Sequence, residues 1–512
     1  MVGFSVHADK TKTMEFVTTT QIFLGIAAAA LTFVWIRRYR KQPSSHPPPP
    51  GPTTLSIFLN DLWRILSRSK PPNLIELVTG LRRQYGDIYS VSKGKKLLVI
   101  LSDPEMVKEL FVKQAEITSG RDTAPLAHVA FRDKGSIIFE EGKSWSDMRR
   151  FFLLVFRKFG MGKRSAGDRV NEEARVLCKE FILAEGKPFD PFRTVNYAVA
   201  NIIRSITAGQ RFEYSNGRFQ QMVQLITDVL GAENFYGPLE MMPWLYFTPL
   251  FTKERNMCNA LIGLMKQEVV EHRETVDVDN PRDVIDMCLA EIDRAKDAGE
   301  ETFFDESLLW RTLLDIYLAG TETVATTLTW AMLYMAGDPD IQEKVCQEID
   351  DVIGHEGTPH YDDRTRMPYT EATIAELLRI RPIAPLGIPH INTESIVFRG
   401  YLLPERSIIM MNMVGMHLDP ELWPDPESFD PTRFLSEDGK ATKKPEGHMP
   451  FGAGRRICLG EQLAKVELFL FFTNLLQKFT FRIPDGVLPD YGFGHRTSTL
   501  APKKFDIVAS LR

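Results

Sequence analysis

Apolar residues recur at helical spacing through most of the 512-residue chain, and helices are predicted to dominate it. The longest such run is SLLWRTLLDIYLAGTETVATTLTWAMLYMAG, Ser307 to Gly337, stopped by Gly337 and Pro339. It is apolar nearly all round, so it belongs inside protein or lipid. Asp315 and Glu322 lie within it, and each would cost several kcal/mol against hydrocarbon. A central helix of a large core is therefore predicted. A second helix, EQLAKVELFLFFTNLLQ, begins at Glu461 directly after a glycine-rich stretch. Strand-like patterning is confined to short runs at KLLVILS (Lys96 to Ser102) and ESIVFRGYLLP (Glu394 to Pro404). The predicted class is mainly α with small β-sheets (α+β). Charge-rich EIDRAKDAGEETFFDES, Glu291 to Ser307, reads as solvated surface.

The amino terminus breaks this pattern. Phe16 to Ile36 is a run of 21 residues without a charge, about the length that crosses a bilayer core. RRYRK follows from Arg37 to Lys41, and its cations orient the bulk of the chain to the cytosol. A cleaved signal would end near Ala27 to Ala30. Mostly apolar residues continue for six positions beyond, which suits a retained anchor. PPPPGP, Pro47 to Pro52, then forms either a semi-rigid spacer or a simple linker. The expected layout is a lumenal end (1–15), a membrane anchor (16–36), a basic and proline-rich hinge (37–52) and one cytosolic body (53–512).

Composition changes this picture little. With 44% hydrophobic residues and a net charge of -5, the chain is ordinary globular material with no basic excess for nucleic acid. Its five cysteines (Cys178, Cys258, Cys288, Cys346 and Cys458) are odd in number and never at CxxC spacing, which argues against a disulfide scaffold or a thiolate zinc site. Four read as buried thiols in a reducing compartment. Cys458 is different because of its neighbours.

FGAGRRICLG, Phe451 to Gly460, sets that cysteine among glycines and arginines. Gly452, Gly454 and Gly460 would let backbone N–H groups approach the sulfur. The helix that follows directs its N-terminal dipole at the same spot. A thiolate forms more readily near cations, a metal or a helix start. On iron, such a ligand pushes electron density toward O–O cleavage.

The stretch matches F-G-x-G-x-R-x-C-x-G without a gap and resembles the haem-binding signature of the cytochrome P450 monooxygenases. Three further motifs stand in that family's order: AGTET (Ala319 to Thr323), ELLR (Glu376 to Arg379) and PESFDPTRF (Pro426 to Phe434). The resemblance implies the P450 fold, with haem b between the long central helix and the Cys458 loop. It implies Cys458 as axial ligand. Arg121, Trp145, Arg149, His390 and Arg456 would hold the propionates, and Glu376, Arg379 and Arg433 a buried ionic network. Glu322 and Thr323 would deliver protons, Thr323 holding oxygen and water while Glu322 relays from solvent. Val324 stands where the family often has a second Thr or Ser. Thr326 and Thr327 read as helix threonines bonded to their own backbone.

Phe139, Ala319, Thr323, Ala384, Leu386 and Ile388 would contact substrate in an apolar cavity with few orienting groups. PWLYFTPLF, Pro243 to Phe251, is either ordinary core or a membrane-touching entrance. Arg149, Arg150, Arg157, Lys158, Lys163 and Lys465 are candidates for a basic face that receives an acidic electron donor. By resemblance the donor is NADPH-cytochrome P450 reductase, with cytochrome b5 as a helper. No flavin or nicotinamide fingerprint occurs, so NADPH acts only through that partner.

Likeness is strongest to animal microsomal family two, subfamily U and its neighbours, carried by FGMGKRS, GQRFEYSN, MPYTEATI and CLGEQLAKVELFLFF. PTTLSIFLNDL departs from it, and RIRPIAPLGIPH also resembles steroid hydroxylases. The expected reaction is NADPH-driven insertion of one oxygen atom into a C–H bond at the endoplasmic reticulum membrane. Long-chain fatty acid is the first substrate, and a steroid or xenobiotic the alternative. A thiolate-haem isomerase would have less need of the Glu322–Thr323 pair. A haem sensor or lipid carrier would need neither that pair nor a donor face.

Overall fold

The computed structural model describes residues 46–52, 74–93, 96–121, 135–159, 164–231, 246–299, 304–494 and 499–512. The run at 16–36 lies outside them, and no described helix is long and apolar enough to cross a membrane. Two units are distinguished: residues 49–396 with 403–512, and the chain up to Pro48 with Val397–Leu402. In the smaller unit the Leu402 N–H donates to the Pro47 carbonyl at 2.8 Å.

The larger unit is chiefly helical. Its main helices are α1 (Leu74–Tyr85), α2 (Gly142–Lys158), α3 (Arg164–Ile182), α4 (Phe192–Thr207), α5 (Gly217–Leu230) and α6 (Thr252–Arg273). They continue with α7 (Val284–Asp297), α8 (Glu306–Gly337), α9 (Pro339–Val352), α10 (Pro368–Ile380) and α11 (Glu461–Lys478).

The predicted central helix is α8, 32 residues long. Asp305 caps it by accepting from the Leu308 N–H at 2.6 Å. Asp338 closes it and caps α9 in turn, with Pro339 at the first position of α9. Around it pack α4, α6 and α11. Gly320 admits α4 closely, since a Cβ there would lie 2.5 Å from Ile203 Cδ1.

Most of the strands form one five-stranded sheet, in the order β1 (Ile88–Lys93), β2 (Lys96–Leu101), β7 (Ile408–Met411), β4 (His390–Ile391) and β3 (Gly120–Arg121). KLLVILS thus becomes β2, paired parallel with β7 from Leu98↔Ile408 onward. ESIVFRGYLLP is two strands rather than one, β5 (Ile396–Phe398) and β6 (Tyr401–Leu403). Arg399 and Gly400, at φ 51° and 84°, make the two-residue left-handed turn that folds the run into a hairpin. A third sheet pairs β8 (Phe479–Arg482) with β9 (Val508–Leu511). Pro49 to Gly51 runs along β1: the Ser90 N–H donates to the Pro50 carbonyl, and the Ser90 hydroxyl to the Pro49 carbonyl, each at 2.7 Å.

Candidate active site

The Cys458 loop is built by left-handed glycines, as its composition suggests. Gly452 and Gly454 have φ of 81° and 70°. A Cβ on Gly454 would come within 1.7 Å of the Phe111 carbonyl oxygen. A short turn over Gly454–Arg456 then delivers Cys458 three residues before α11, its N–H bonded to the Phe451 carbonyl at 2.9 Å. Burial pushes the thiol above its ordinary range. Backbone N–H groups of Gly460 and Glu461, with the charge of Arg149, pull the other way but do not win. A metal at the sulfur would favour the thiolate further, alongside these groups. Although deeply set, Cys458 keeps an accessible side chain, whereas Cys178, Cys258, Cys288 and Cys346 are buried free thiols.

Beside this loop the structure gathers the five residues expected to hold propionates. Arg456 stacks over the Trp145 ring at 3.6 Å from its centroid and donates to the Ser119 and Glu140 carbonyls. Arg149, on the same helix α2 as Trp145, donates to the Ile457 carbonyl at 2.7 Å. Arg121 pairs with His390 across β3 and β4, and donates to the carbonyls of Ile138, Ile388 and Pro389. His390 stacks on Phe111 at 3.9 Å and donates from Nδ1 to the Thr118 carbonyl. Burial, with Arg121 and Arg456 nearby, holds its imidazole well below the ordinary range and so neutral.

All three guanidiniums of this group are held down. Burial and Arg149 lower Arg121 to about 9, and burial with Arg121 and Arg149 lowers Arg456 to about 8. Burial lowers Arg149 as well, opposed by Cys458. Guanidinium does not readily give up its proton, so burial and mutual repulsion make this cluster receptive to an anion. Among the described residues, no carboxylate side chain bonds to any of the three. Glu141, whose charge acts on Arg456, is taken by Arg406 at 2.9 Å and by the Arg121 backbone N–H. Buried cations bonded only to carbonyls, next to an accessible cysteine, fit a dianionic ligand whose metal takes sulfur. Haem is such a ligand.

Helix α8 is buried on nearly every side but opens along Ile316, Ala319 and Thr323, which share one face. The Thr323 hydroxyl donates to the Ala319 carbonyl at 2.6 Å, a bond expected instead for Thr326 and Thr327. Thr327 does bond back, to the Thr323 carbonyl. Thr326 is corrected: its buried hydroxyl has no partner. Glu322 is fully buried and turns away from the open face to accept from the Thr227 hydroxyl of α5 at 3.3 Å.

Three segments expected to meet substrate are tied to one another. The Ile138 N–H, next to Phe139, donates to Asp315 of α8 at 2.9 Å, one turn before Ala319. Arg121 links the Ile138 carbonyl to that of Ile388. Ala384 to Ile388 is a turn with Gly387 at φ 62°; Ala384 is half-buried, Leu386 buried and Ile388 43% exposed. Neither Asp315 nor Arg311, which holds the Gly135 carbonyl at 2.7 Å, was picked out for this task from the sequence.

Glu376 and Arg379 are fully buried and joined by two bonds of 2.6 and 2.7 Å, with Arg433 Nε at 3.5 Å from the same carboxylate. The expected basic face is only partly assembled. Arg150, Arg157 and Lys158 are exposed on α2, but Arg149 turns inward to the Cys458 loop. Lys465 is paired with Glu461 at 2.7 Å, and Lys163 lies outside the described residues.

Comparison with known proteins agrees with this geometry. A family model described as Cytochrome P450 matches residues 49–508. Cytochrome P450 2U1 of Mus musculus is 37% identical over 96% of this chain and 95% of its own length. The human protein of that name is 37% identical, over 94% of this chain and 92% of its own length. Cytochrome P450 2B2 of Rattus norvegicus is 38% identical, with 90% of each covered.

Proposed function

The chain belongs to the cytochrome P450 family, and from that premise we propose that it hydroxylates long-chain fatty acids at the endoplasmic reticulum membrane. As a member it is a haem-thiolate monooxygenase: one atom of O2 enters a lipophilic substrate and the other leaves as water, with electrons from a redox partner. The haem supplies the activation of O2 that no side chain can. Every other part falls to the polypeptide.

Cys458 would hold the haem iron through its sulfur, with Arg121, Arg149 and Arg456 as the cations for the propionates, and Trp145 and His390 packed beside them. The observation that carries this reading is the buried cation cluster without a carboxylate partner, next to the one accessible cysteine among those described. Thr323 spends its proton on the Ala319 carbonyl, so its oxygen would accept a hydrogen bond from water at the open face of α8. Glu322 would supply the protons. Phe139, Ala319, Ala384, Leu386 and Ile388 would bind an apolar chain through shape rather than polar contacts. NADPH-cytochrome P450 reductase is the proposed donor, with cytochrome b5 as a second, docking over exposed Arg150, Arg157 and Lys158. The run at 16–36 is proposed as the anchor and 37–52 as its hinge.

Reconstitution with microsomal reductase and NADPH, offered arachidonic acid and progesterone in parallel, tests this by mass spectrometry. Oxygenated fatty acid that disappears in Thr323→Ala is expected. Oxygenated steroid alone would keep the chemistry and overturn the substrate. No product and no NADPH consumption, despite a normal thiolate-haem spectrum, would favour the isomerase or sensor reading.

A further inference from the structure

Glu322 has no accessible surface, yet an acid that relays protons must exchange them with water. Its described hydrogen-bond partner is not on its own helix. The hydroxyl of Thr227, 95 positions earlier in the chain, donates to Glu322 Oε2 across the packing of α5 on α8. Thr227 lies one turn from the end of α5 and is half-buried, between exposed Gln224 and Asp228. It therefore stands at the boundary between the closed interior, where Glu322 sits, and the wet face of α5.

A hydroxyl has one proton to give and two lone pairs to receive with. Donating to Glu322 leaves the Thr227 oxygen able to accept from solvent. In one concerted transfer a hydronium proton bonds to the Thr227 oxygen while the original hydroxyl proton passes to the Glu322 carboxylate, so water and a neutral carboxyl result and no alkoxide forms. Charge and protons balance without any further reactant. No carbonyl of helix α5 is reached by this hydroxyl in the described hydrogen bonds, so it is not committed to its own backbone as that of Thr323 is.

We propose that Thr227 is a positioning residue of the oxygenation reaction, holding Glu322 toward α5 and linking it to solvent for proton uptake. This rests on Glu322 being the relay acid, as argued above. It adds a residue from a helix packed against α8.

The test uses the full-length, haem-loaded protein with reductase, comparing wild type, Thr227→Val, Thr227→Ser and Glu322→Gln. Valine keeps the shape and removes the hydroxyl, while serine keeps the hydroxyl. In the resting protein, the Glu322 carboxyl band, isolated as the infrared difference from E322Q, should move in T227V and return in T227S. Product formed per NADPH should fall by about fivefold in T227V, the scale of one hydrogen bond to an acid, and the solvent isotope effect should rise. T227S should restore both.

An unchanged Glu322 band in T227V, with an unchanged melting temperature, would overturn the proposal. So would equal losses in T227V and T227S, which would show that only packing matters. The underlying assignment fails separately: if E322Q couples NADPH to product as well as wild type, Glu322 is not the relay, whatever its infrared band does.

Discussion

Single residues at this site are constrained by their surroundings more than by their own chemistry. Gly454 combines a left-handed backbone with a carbonyl oxygen only 1.7 Å from where a Cβ would sit. Gly454→Ala should therefore destabilise the protein by at least about 2 kcal/mol and weaken haem retention, read by thermal melting and by the thiolate-haem absorbance. This could be anticipated from FGAGRRICLG, because glycines flanking a ligand residue announce a tight backbone. What Arg149 does could not. In the sequence it reads as one more cation on an amphipathic helix, beside Arg150. Only the packing of α2 on the Cys458 loop sends one arginine inward and leaves the other in water. The same holds for Thr323 and Thr326: Thr323 makes the backbone bond expected of Thr326, whose own buried hydroxyl has no partner, because the rotamer and not the residue type decides which carbonyl is reached.

At the scale of elements, α8 shows the same division. Its ends were readable to within one residue, since the apolar run starts at Ser307 and the terminal glycine and the proline are local signals. Its cross-helix bonds were not, because they depend on which elements become neighbours. Asp315 illustrates the cost of such a bond. Burial raises its carboxyl to about 7, opposed by Ser136, the Ile138 N–H and the charge of Arg311. In the unfolded chain it would ionise near about 4. Between those values the unfolded state releases its proton first, so this group makes stability fall as pH rises from about 4 to 7 and leaves it lower above. The full penalty is on the order of 4 kcal/mol. Asp315→Asn keeps an acceptor for Ile138 and cannot ionise. The melting temperature of D315N relative to wild type should therefore climb between pH 5 and pH 8. A flat difference would mean that Asp315 is not buried as a neutral acid at low pH.

For the whole molecule, the question is how a lipophilic substrate reaches a closed interior. PWLYFTPLF is divided where it is described: Tyr246 and Phe251 are buried, but Phe247 and Leu250 are 66% and 78% exposed. Neither ordinary core nor a uniform apolar face describes it. Two large apolar side chains held out beside the start of α6 suit contact with lipid. Phe247→Asp with Leu250→Asp should raise KM for a membrane-dissolved substrate severalfold while kcat stays unchanged, measured in vesicles against the same enzyme in detergent. The cation cluster has a consequence of a different kind. Arg121, Arg149 and Arg456 repel one another where burial of Arg121 and Arg456 limits screening by water. A chain made faster than its prosthetic group arrives carries that repulsion, and binding of the dianion relieves it by mass action. Haem supply would then bear on the chain's stability as well as its activity. Under iron starvation, newly made chains would be lost to proteolysis rather than stored for later use.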